Sequence, residues 1–199
     1  MKLMVITADT LFDNEPAVLN RLFRAGMDVL HLRKPLAAAG EVERLLLRVD
    51  AAYHPRIVLH DHFALLPLFP LQGVHLNSRH PAPPRDVLPV SRSCHSLACL
   101  EHAAGFRYAF LSPVFDSISK TGYAAAFTPE ELQSAAAKGL IGDRVIALGG
   151  INATTIPIAA AYGFGGVAVL GALWGRLPED GDETAVVRRF EQLQSITAS

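Results

Sequence analysis

Apolar residues along the chain fall into short runs separated by polar, glycine- and proline-containing stretches. The runs are Leu3–Thr7, Val29–Leu32, Arg56–Leu59, Gly73–Leu76, Val90–Ser93, Tyr108–Leu111, Val145–Leu148 and Gly166–Leu170. Each is nearly continuous in apolar character rather than alternating, which predicts strands buried on both faces of a parallel sheet. Between them the period changes to that of a helix. Glu15–Ala25 carries Val18, Leu19, Leu22 and Phe23, and Glu41–Ala52 carries Val42, Leu45, Leu46 and Val49, each set at helical spacing. Thr128-Pro129-Glu130-Glu131 reads as a capping box with proline at the first helical position. A further helix opens near Asn152–Thr155, and Glu183–Ile196 closes the chain.

Eight strand-plus-helix units predict one α/β domain over residues 1–199, a closed (β/α)₈ TIM barrel of minimal length. At 199 residues some connections must shrink. The segment 77–89 holds four of the thirteen prolines and should be loop with at most one helical turn. An open doubly wound sheet is disfavoured by the strand count and by the lack of a G-x-G-x-x-G after the first strand.

Composition narrows the class. Half of the residues are hydrophobic and 19% are charged, so a core forms and disorder is not expected. A formal charge of -1 argues against nucleic-acid binding through bulk positive charge. No signal peptide and no membrane-spanning run is visible, so a cytoplasmic protein without membrane partners is expected. Cys94 and Cys99 are too few for a disulfide scaffold and lack metal spacing. A homo-oligomer is left open.

In this fold chemistry sits at the C-terminal ends of the strands. There the sequence places Thr7 and Asp9, then His31, Arg33 and Lys34, then His60, Asp61 and His62, then His75 and Asn77, then Ser93 and His95. Ser112 and the loop residues Ser117, Ser119 and Lys120 follow the sixth strand, Gly149 and Gly150 the seventh, and Leu170 and Gly171 the eighth. Glycines in the last two loops suit a phosphate cradle of backbone N–H groups. Arg33 and Lys34 would add positive charge, and the Ser117–Lys120 loop could fold over an anion. His60-Asp61-His62 looks ligand-rich, but neighbouring residues on a strand face opposite sides, so the three cannot converge on one ion. Asp61 alone could hold Mg²⁺ together with a substrate phosphate. Cys94 and His95 diverge for the same reason and are not expected to pair.

These residues together resemble the thiamine-phosphate synthase/TenI superfamily, in order and over essentially the whole chain. Met4-Val5-Ile6-Thr7-Ala8-Asp9 is similar to its first strand, and Asp28–Lys34 to its strand-two anion site. Gly73-Val74-His75-Leu76 is similar to its fourth strand, and Ser112-Pro113-Val114-Phe115 with Ser117, Ser119 and Lys120 to its P-x-aromatic-P-T-x-T-K loop. Val145–Ile151 and Gly166–Val169 complete the match. The resemblance implies the barrel and a thiazole-phosphate ligand, contacted by His31, His60, Ser93 and the anion-site residues named above.

Departures from the pattern bear on the reaction. The synthase joins a pyrimidine diphosphate to thiazole phosphate with Mg²⁺, and its Q-L-R-E-K stands here as His31-Leu32-Arg33-Lys34-Pro35. Its N-D becomes His60-Asp61, and a second metal-binding aspartate would fall at about His80, with no acid anywhere in 77–84. Ser91-Arg92-Ser93-Cys94-His95-Ser96-Leu97 instead resembles the G-R-S-V-H-S-L segment of the TenI branch, whose thiazole tautomerase needs no cofactor. There His95 would be the catalytic acid/base that moves a proton. The expectation is therefore a TenI-like thiazole tautomerase. The alternatives are a Mg²⁺-dependent thiamine-phosphate synthase with Asp61 as metal ligand, and a non-catalytic thiazole- or thiamine-phosphate-binding regulatory paralogue.

Overall fold

Eight parallel strands close on themselves in sequence order in the computed structural model, which describes residues 1–116, 125–175 and 183–198. They are β1 (Lys2–Ile6), β2 (Val29–Leu32), β3 (Ile57–Leu59), β4 (Gly73–Leu76), β5 (Ser91–Cys94), β6 (Tyr108–Leu111), β7 (Val145–Ala147) and β8 (Gly166–Val169). Closure comes from β1 against β8, with Leu3 opposite Val167 and Val5 opposite Val169. The (β/α)₈ barrel is thus the fold, and all eight expected strands are present.

The helices depart more. The described ones are α1 (Glu15–Arg24), α2 (Ala39–Arg48), α3 (Leu97–Glu101), α4 (Pro129–Ala137), α5 (Ile156–Ala161), α6 (Gly171–Trp174) and α7 (Glu183–Ala198). The α4 capping box forms in both directions: Glu131 N donates to Thr128 Oγ1, and Thr128 N donates to Glu131 Oε2. The second helix stops at Arg48 rather than Ala52, because Val49 is extended and Asp50 caps a separate 3₁₀ turn over Ala51–Arg56. Asn152 spends its carboxamide on a turn with Thr154 and Thr155, so α5 starts only at Ile156. After β3 the proline-containing stretch Phe63–Leu68 makes a 3₁₀ turn, and no helix forms in 77–89.

Strand alternation sorts side chains into two layers. Leu3, Val5, Leu30, Leu32, Ile57, Leu59, Leu111, Val167 and Val169 join the large core beneath the helices. Met4, Ile6, Tyr108, Phe110, Ile146 and Ala168 pack together as a second, smaller cluster inside the barrel. This inner layer is small because polar side chains share the space. Residues that lie between outward-facing neighbours, such as His31 between Leu30 and Leu32, must point inward.

Candidate active site

A cavity of about 360 Å³ opens at the C-terminal ends of the strands. Arg33, His60, Ser93, His95, Ser112, Gly149 and Leu170 line it, together with Asn77 and Arg79, and Phe110 and Ile6 close it from inside. Eight of the expected mouth residues (Arg33, His60, Asn77, Ser93, His95, Ser112, Gly149 and Leu170) therefore line one space. His31 lies one layer deeper, fully buried. Ser117, Ser119 and Lys120 fall outside the described residues.

Arg33 is placed by its own backbone. Thr7 Oγ1 accepts from Arg33 N at 2.9 Å and donates to Arg33 O at 3.0 Å, tying β2 to the end of β1. The guanidinium pairs with Asp9 and remains a quarter exposed on the cavity wall. Lys34 is not brought to the mouth. Its side chain is fully buried, with Nζ 2.7 Å from Glu15 Oε1, 2.7 Å from Ala8 O and 2.8 Å from Thr10 O. Three donors meet three acceptors, and the ammonium has nothing left for a ligand. Burial pushes Glu15 up to about 7 and lowers Lys34, each shift opposed by the other's charge. The adjacent position on a strand end faces the opposite way, which is why Arg33 and Lys34 separate.

Gly149 and Gly150 both have positive φ, and a Cβ on Gly150 would stand 2.3 Å from Asp116 O and 2.7 Å from Phe115 Cβ. These glycines are required first by the close passage of the β6 loop over the β7 loop. Gly149 also lines the cavity, as does Leu170, while Gly150 and Gly171 stand next to them in sequence.

His95 is held at one nitrogen. Its Nδ1 lies 2.9 Å from the carbonyl oxygen of Ser112 and 3.2 Å from that residue's hydroxyl. A carbonyl only accepts, so the neutral ring carries its proton on Nδ1 and leaves Nε2 as the basic atom. Neighbouring Cys94 is turned outward and joined to Cys99 in a disulfide between β5 and α3, so no thiolate–imidazole pair exists.

Asp61 is buried, and its charge is already matched. Arg79 donates to Asp61 Oδ1 from Nε at 3.0 Å and from Nη2 at 2.9 Å, with His80 Nε2 3.5 Å away. Asp61 Oδ2 alone has no partner. One carboxylate oxygen beside a guanidinium, with Asp9 paired to Arg33, is not a donor set for a hard divalent cation. The residues present do not fit a resident Mg²⁺. The sequence had shown the missing acid at His80, but not that Arg79 would take the cation's place.

Below the cavity three histidines from three strands meet. His31 Nδ1 lies 2.8 Å from His60 Nε2, and His31 Nε2 lies 2.8 Å from the Tyr108 hydroxyl. His75 Nδ1 is 2.8 Å from Ser91 Oγ, and its Nε2 is 2.8 Å from Ser93 Oγ. Burial drives His31 down to about 3 and holds His60 and His75 well below the usual imidazole range, with the mutual repulsion of the rings adding to it. All three rings are neutral at pH 7. His31 and His75 occupy inward-facing positions of β2 and β4, and nothing in the sequence paired them with Tyr108 and Ser91.

A closed parallel barrel with arginines and imidazoles around the C-terminal mouth is the architecture of a (β/α)₈ enzyme. The profile of the thiamine monophosphate synthase family, TMP-TENI, matches residues 3–173, and the chain belongs to that family of thiamine biosynthesis. It is 40% identical to a crystal structure titled thiamine phosphate pyrophosphorylase from Bacteroides thetaiotaomicron, covering 100% of this chain and 98% of that one at a TM-score of 0.88. It is 29% identical over 168 residues to a putative thiamine-phosphate synthase of Geobacter sulfurreducens, covering 79% of this chain and 78% of that one. The thiamine phosphate pyrophosphorylase of Pyrococcus furiosus shares the fold at a TM-score of 0.75 and 22% identity, over 99% of this chain and 95% of that one. Among the described residues no helix is long and apolar enough to cross a membrane.

Proposed function

We propose that the chain binds a phosphorylated thiazole in the barrel mouth and isomerises it, as a cytoplasmic thiazole tautomerase without a metal. The observation that carries this reading is the pairing of Arg79 with Asp61. The residue best placed to hold Mg²⁺ for a diphosphate is neutralised by a guanidinium, while a histidine with a defined basic nitrogen faces the cavity.

In this reading the phosphate lies against the ends of β7 and β8, at backbone N–H groups near Gly149, Gly150, Leu170 and Gly171, with Ser117, Ser119 and Lys120 as further contacts. Arg33 orients the carboxylate, since a planar guanidinium suits a planar anion. His95 Nε2 removes the proton from the ring, and the ring's electrons move toward the aromatic arrangement. The shift is complete when a proton reaches the exocyclic carbon. Aromatisation supplies the driving force.

The second reading is a thiamine-phosphate synthase, a transferase, and the names of the relatives favour it. One experiment separates the two. Purified protein is incubated with the exocyclic-alkene thiazole carboxylate phosphate alone, and in parallel with thiazole phosphate plus hydroxymethylpyrimidine diphosphate, each with and without Mg²⁺. Metal-independent aromatisation supports the tautomerase. Release of pyrophosphate only with Mg²⁺, and no aromatisation, would replace it with the synthase.

A further inference from the structure

Two separate hydrogen-bonded sets of buried groups lie under the cavity. One joins His75 to Ser91 and to Ser93, at 2.8 Å each. The other runs from the Tyr108 hydroxyl to His31 Nε2, and from His31 Nδ1 to His60 Nε2, again at 2.8 Å each. Tyr108 and His31 are buried inside the barrel, whereas His60 lines the cavity. His60 spends Nε2 on His31, and its Nδ1 has no hydrogen-bond partner among the described residues. The ring is held in place by its neighbours. His75 stacks on it with centroids 4.1 Å apart and planes 12° from parallel, and His31 meets it edge-on.

His31 and His60 are both neutral and carry one proton each, so a proton placed at one end of this set fixes the next. The link between two imidazoles is the same in either direction, and the tyrosine therefore decides. A phenol is a stronger acid than a neutral imidazole, and an imidazole nitrogen is a stronger base than a phenol oxygen, so the hydroxyl donates and His31 Nε2 accepts. His31 then holds its proton on Nδ1 and donates it to His60 Nε2. His60 in turn holds its proton on Nδ1, the nitrogen it has left for a ligand. His95 is the opposite case, with Nδ1 protonated against the Ser112 carbonyl and Nε2 bare. The cavity is thus lined by two histidines of opposite polarity, one offering a lone pair and the other an N–H.

A metal centre competes for the same rings, since ligand atoms of His31, His60 and His75 lie within 4.8 Å of one another. The stacking of His60 on His75 argues against it. Their in-plane lone pairs run side by side and cannot meet at one ion at the ~2.0–2.1 Å a metal–imidazole bond requires.

We propose that His60 Nδ1–H donates a hydrogen bond to the ring nitrogen of the bound thiazole, and that Tyr108, acting through His31, is the positioning residue that keeps this donor in place. The inference rests on the reading that a phosphorylated thiazole occupies the mouth. A thiazole nitrogen carries an in-plane lone pair and no proton, so it can only accept, and a fixed N–H selects it over a ring edge without an acceptor. In that reading the phosphate is held at the ends of β7 and β8. The bond to His60 adds a second fixed point and so sets which edge of the ring faces His95. No proton leaves His60, because an imidazolate in this buried place would be a desolvated, unpaired charge.

The probes that test this are thiazole phosphate and its thiophene analogue, in which C–H replaces the ring nitrogen and the shape is kept. Calorimetry on the wild type should show thiazole phosphate binding about tenfold tighter than the analogue, the worth of one neutral hydrogen bond. Tyr108→Phe removes the hydroxyl that fixes the tautomers and keeps the ring. In this variant the ratio should fall to about threefold or less, through weaker binding of thiazole phosphate. A merely structural Tyr108 would weaken both probes alike and leave the ratio unchanged, which overturns the positioning role. In protein labelled with ¹⁵N at histidine, wild-type His60 should be protonated on Nδ1 alone, and Tyr108→Phe should show both tautomers. A wild-type His60 protonated on Nε2, or equal binding of the two probes, would overturn the donor. If the wild type binds neither probe, the thiazole reading falls and the ligand assignment with it, and the nitrogen spectrum tells that failure from a wrong tautomer. Should Tyr108→Phe fail to fold, His60→Leu has no donor and should bring the ratio to the same low value; a tenfold ratio retained there overturns the assignment.

Discussion

Replacing His31 by glutamine tests the buried histidines through stability alone. Folded His31 resists protonation down to about 3, whereas an unfolded imidazole takes a proton at about 6.5. Between those values the unfolded chain binds the extra proton, so the stability that the neutral ring contributes is complete above pH 6.5 and is lost as the pH falls. Moving from pH 7 to pH 5 costs about 2 kcal/mol for this one residue, by integrating the two titration curves. The wild-type profile does not show this directly. Glu15, pushed up to about 7, takes up its proton in the folded state first and gains about 2 kcal/mol over the same interval. His60 and His75 add losses in the same sense as His31. The difference between wild type and variant cancels these common contributions. Glutamine preserves part of the hydrogen bonding to His60 and Tyr108 but does not titrate, so His31→Gln should cost about 1–3 kcal/mol at pH 7. At pH 5 the cost should be about 2 kcal/mol smaller, leaving the variant near or above the wild type. Urea unfolding of both proteins at pH 7, 6 and 5 reads this out. A cost of His31→Gln that stays constant between pH 7 and pH 5 would refute a neutral, buried His31.

Three further outcomes follow from the site. Lys34→Met breaks a fully buried ion pair and should destabilise by about 3–5 kcal/mol in thermal unfolding, while calorimetric affinity for thiazole phosphate stays within twofold; wild-type stability with tenfold weaker binding would put Lys34 at the ligand after all. His95→Asn should keep ligand affinity and lower the aromatisation rate by about 10²–10⁴-fold, the usual contribution of general acid–base catalysis, and a wild-type rate would remove His95 from the chemistry. Arg79→Ala frees the Asp61 carboxylate, so calorimetry with Mg²⁺ should show weak binding in the wild type and stronger binding in the variant; tight stoichiometric binding by the wild type would contradict the reading of the mouth.

By itself the sequence determined the barrel. Eight apolar runs of strand length, each followed by a connection, leave few ways to bury both faces of every strand, and strand order and closure follow from that local pattern. It also determined which residues stand at the mouth, because a strand's C-terminal end is a position along the chain. His95 and Arg33 were legible for this reason, as were the family motifs. Helix limits were less so. Asn152 and Asp50 cap by side-chain bonds whose partners depend on how the loop folds, and a capping residue alone does not reveal which turn it will close. What only the tertiary structure decided is the pairing of side chains distant in sequence. Lys34 reads as an anion contact until Glu15 from α1 closes on it, and Asp61 reads as a metal ligand until Arg79 folds back onto it. Gly150 reads as a phosphate contact, and only the fold shows that the backbone of Asp116 crosses it and requires a glycine there as well. The buried histidines beneath the mouth are the extreme case. Only closure of the barrel brings His31 within 2.8 Å of His60 and of Tyr108, and His75 within 2.8 Å of Ser91 and of Ser93. Hydrogen bonds and ion pairs act over a few ångströms, so their partners are fixed by the three-dimensional register of the strands, which no single run of residues contains.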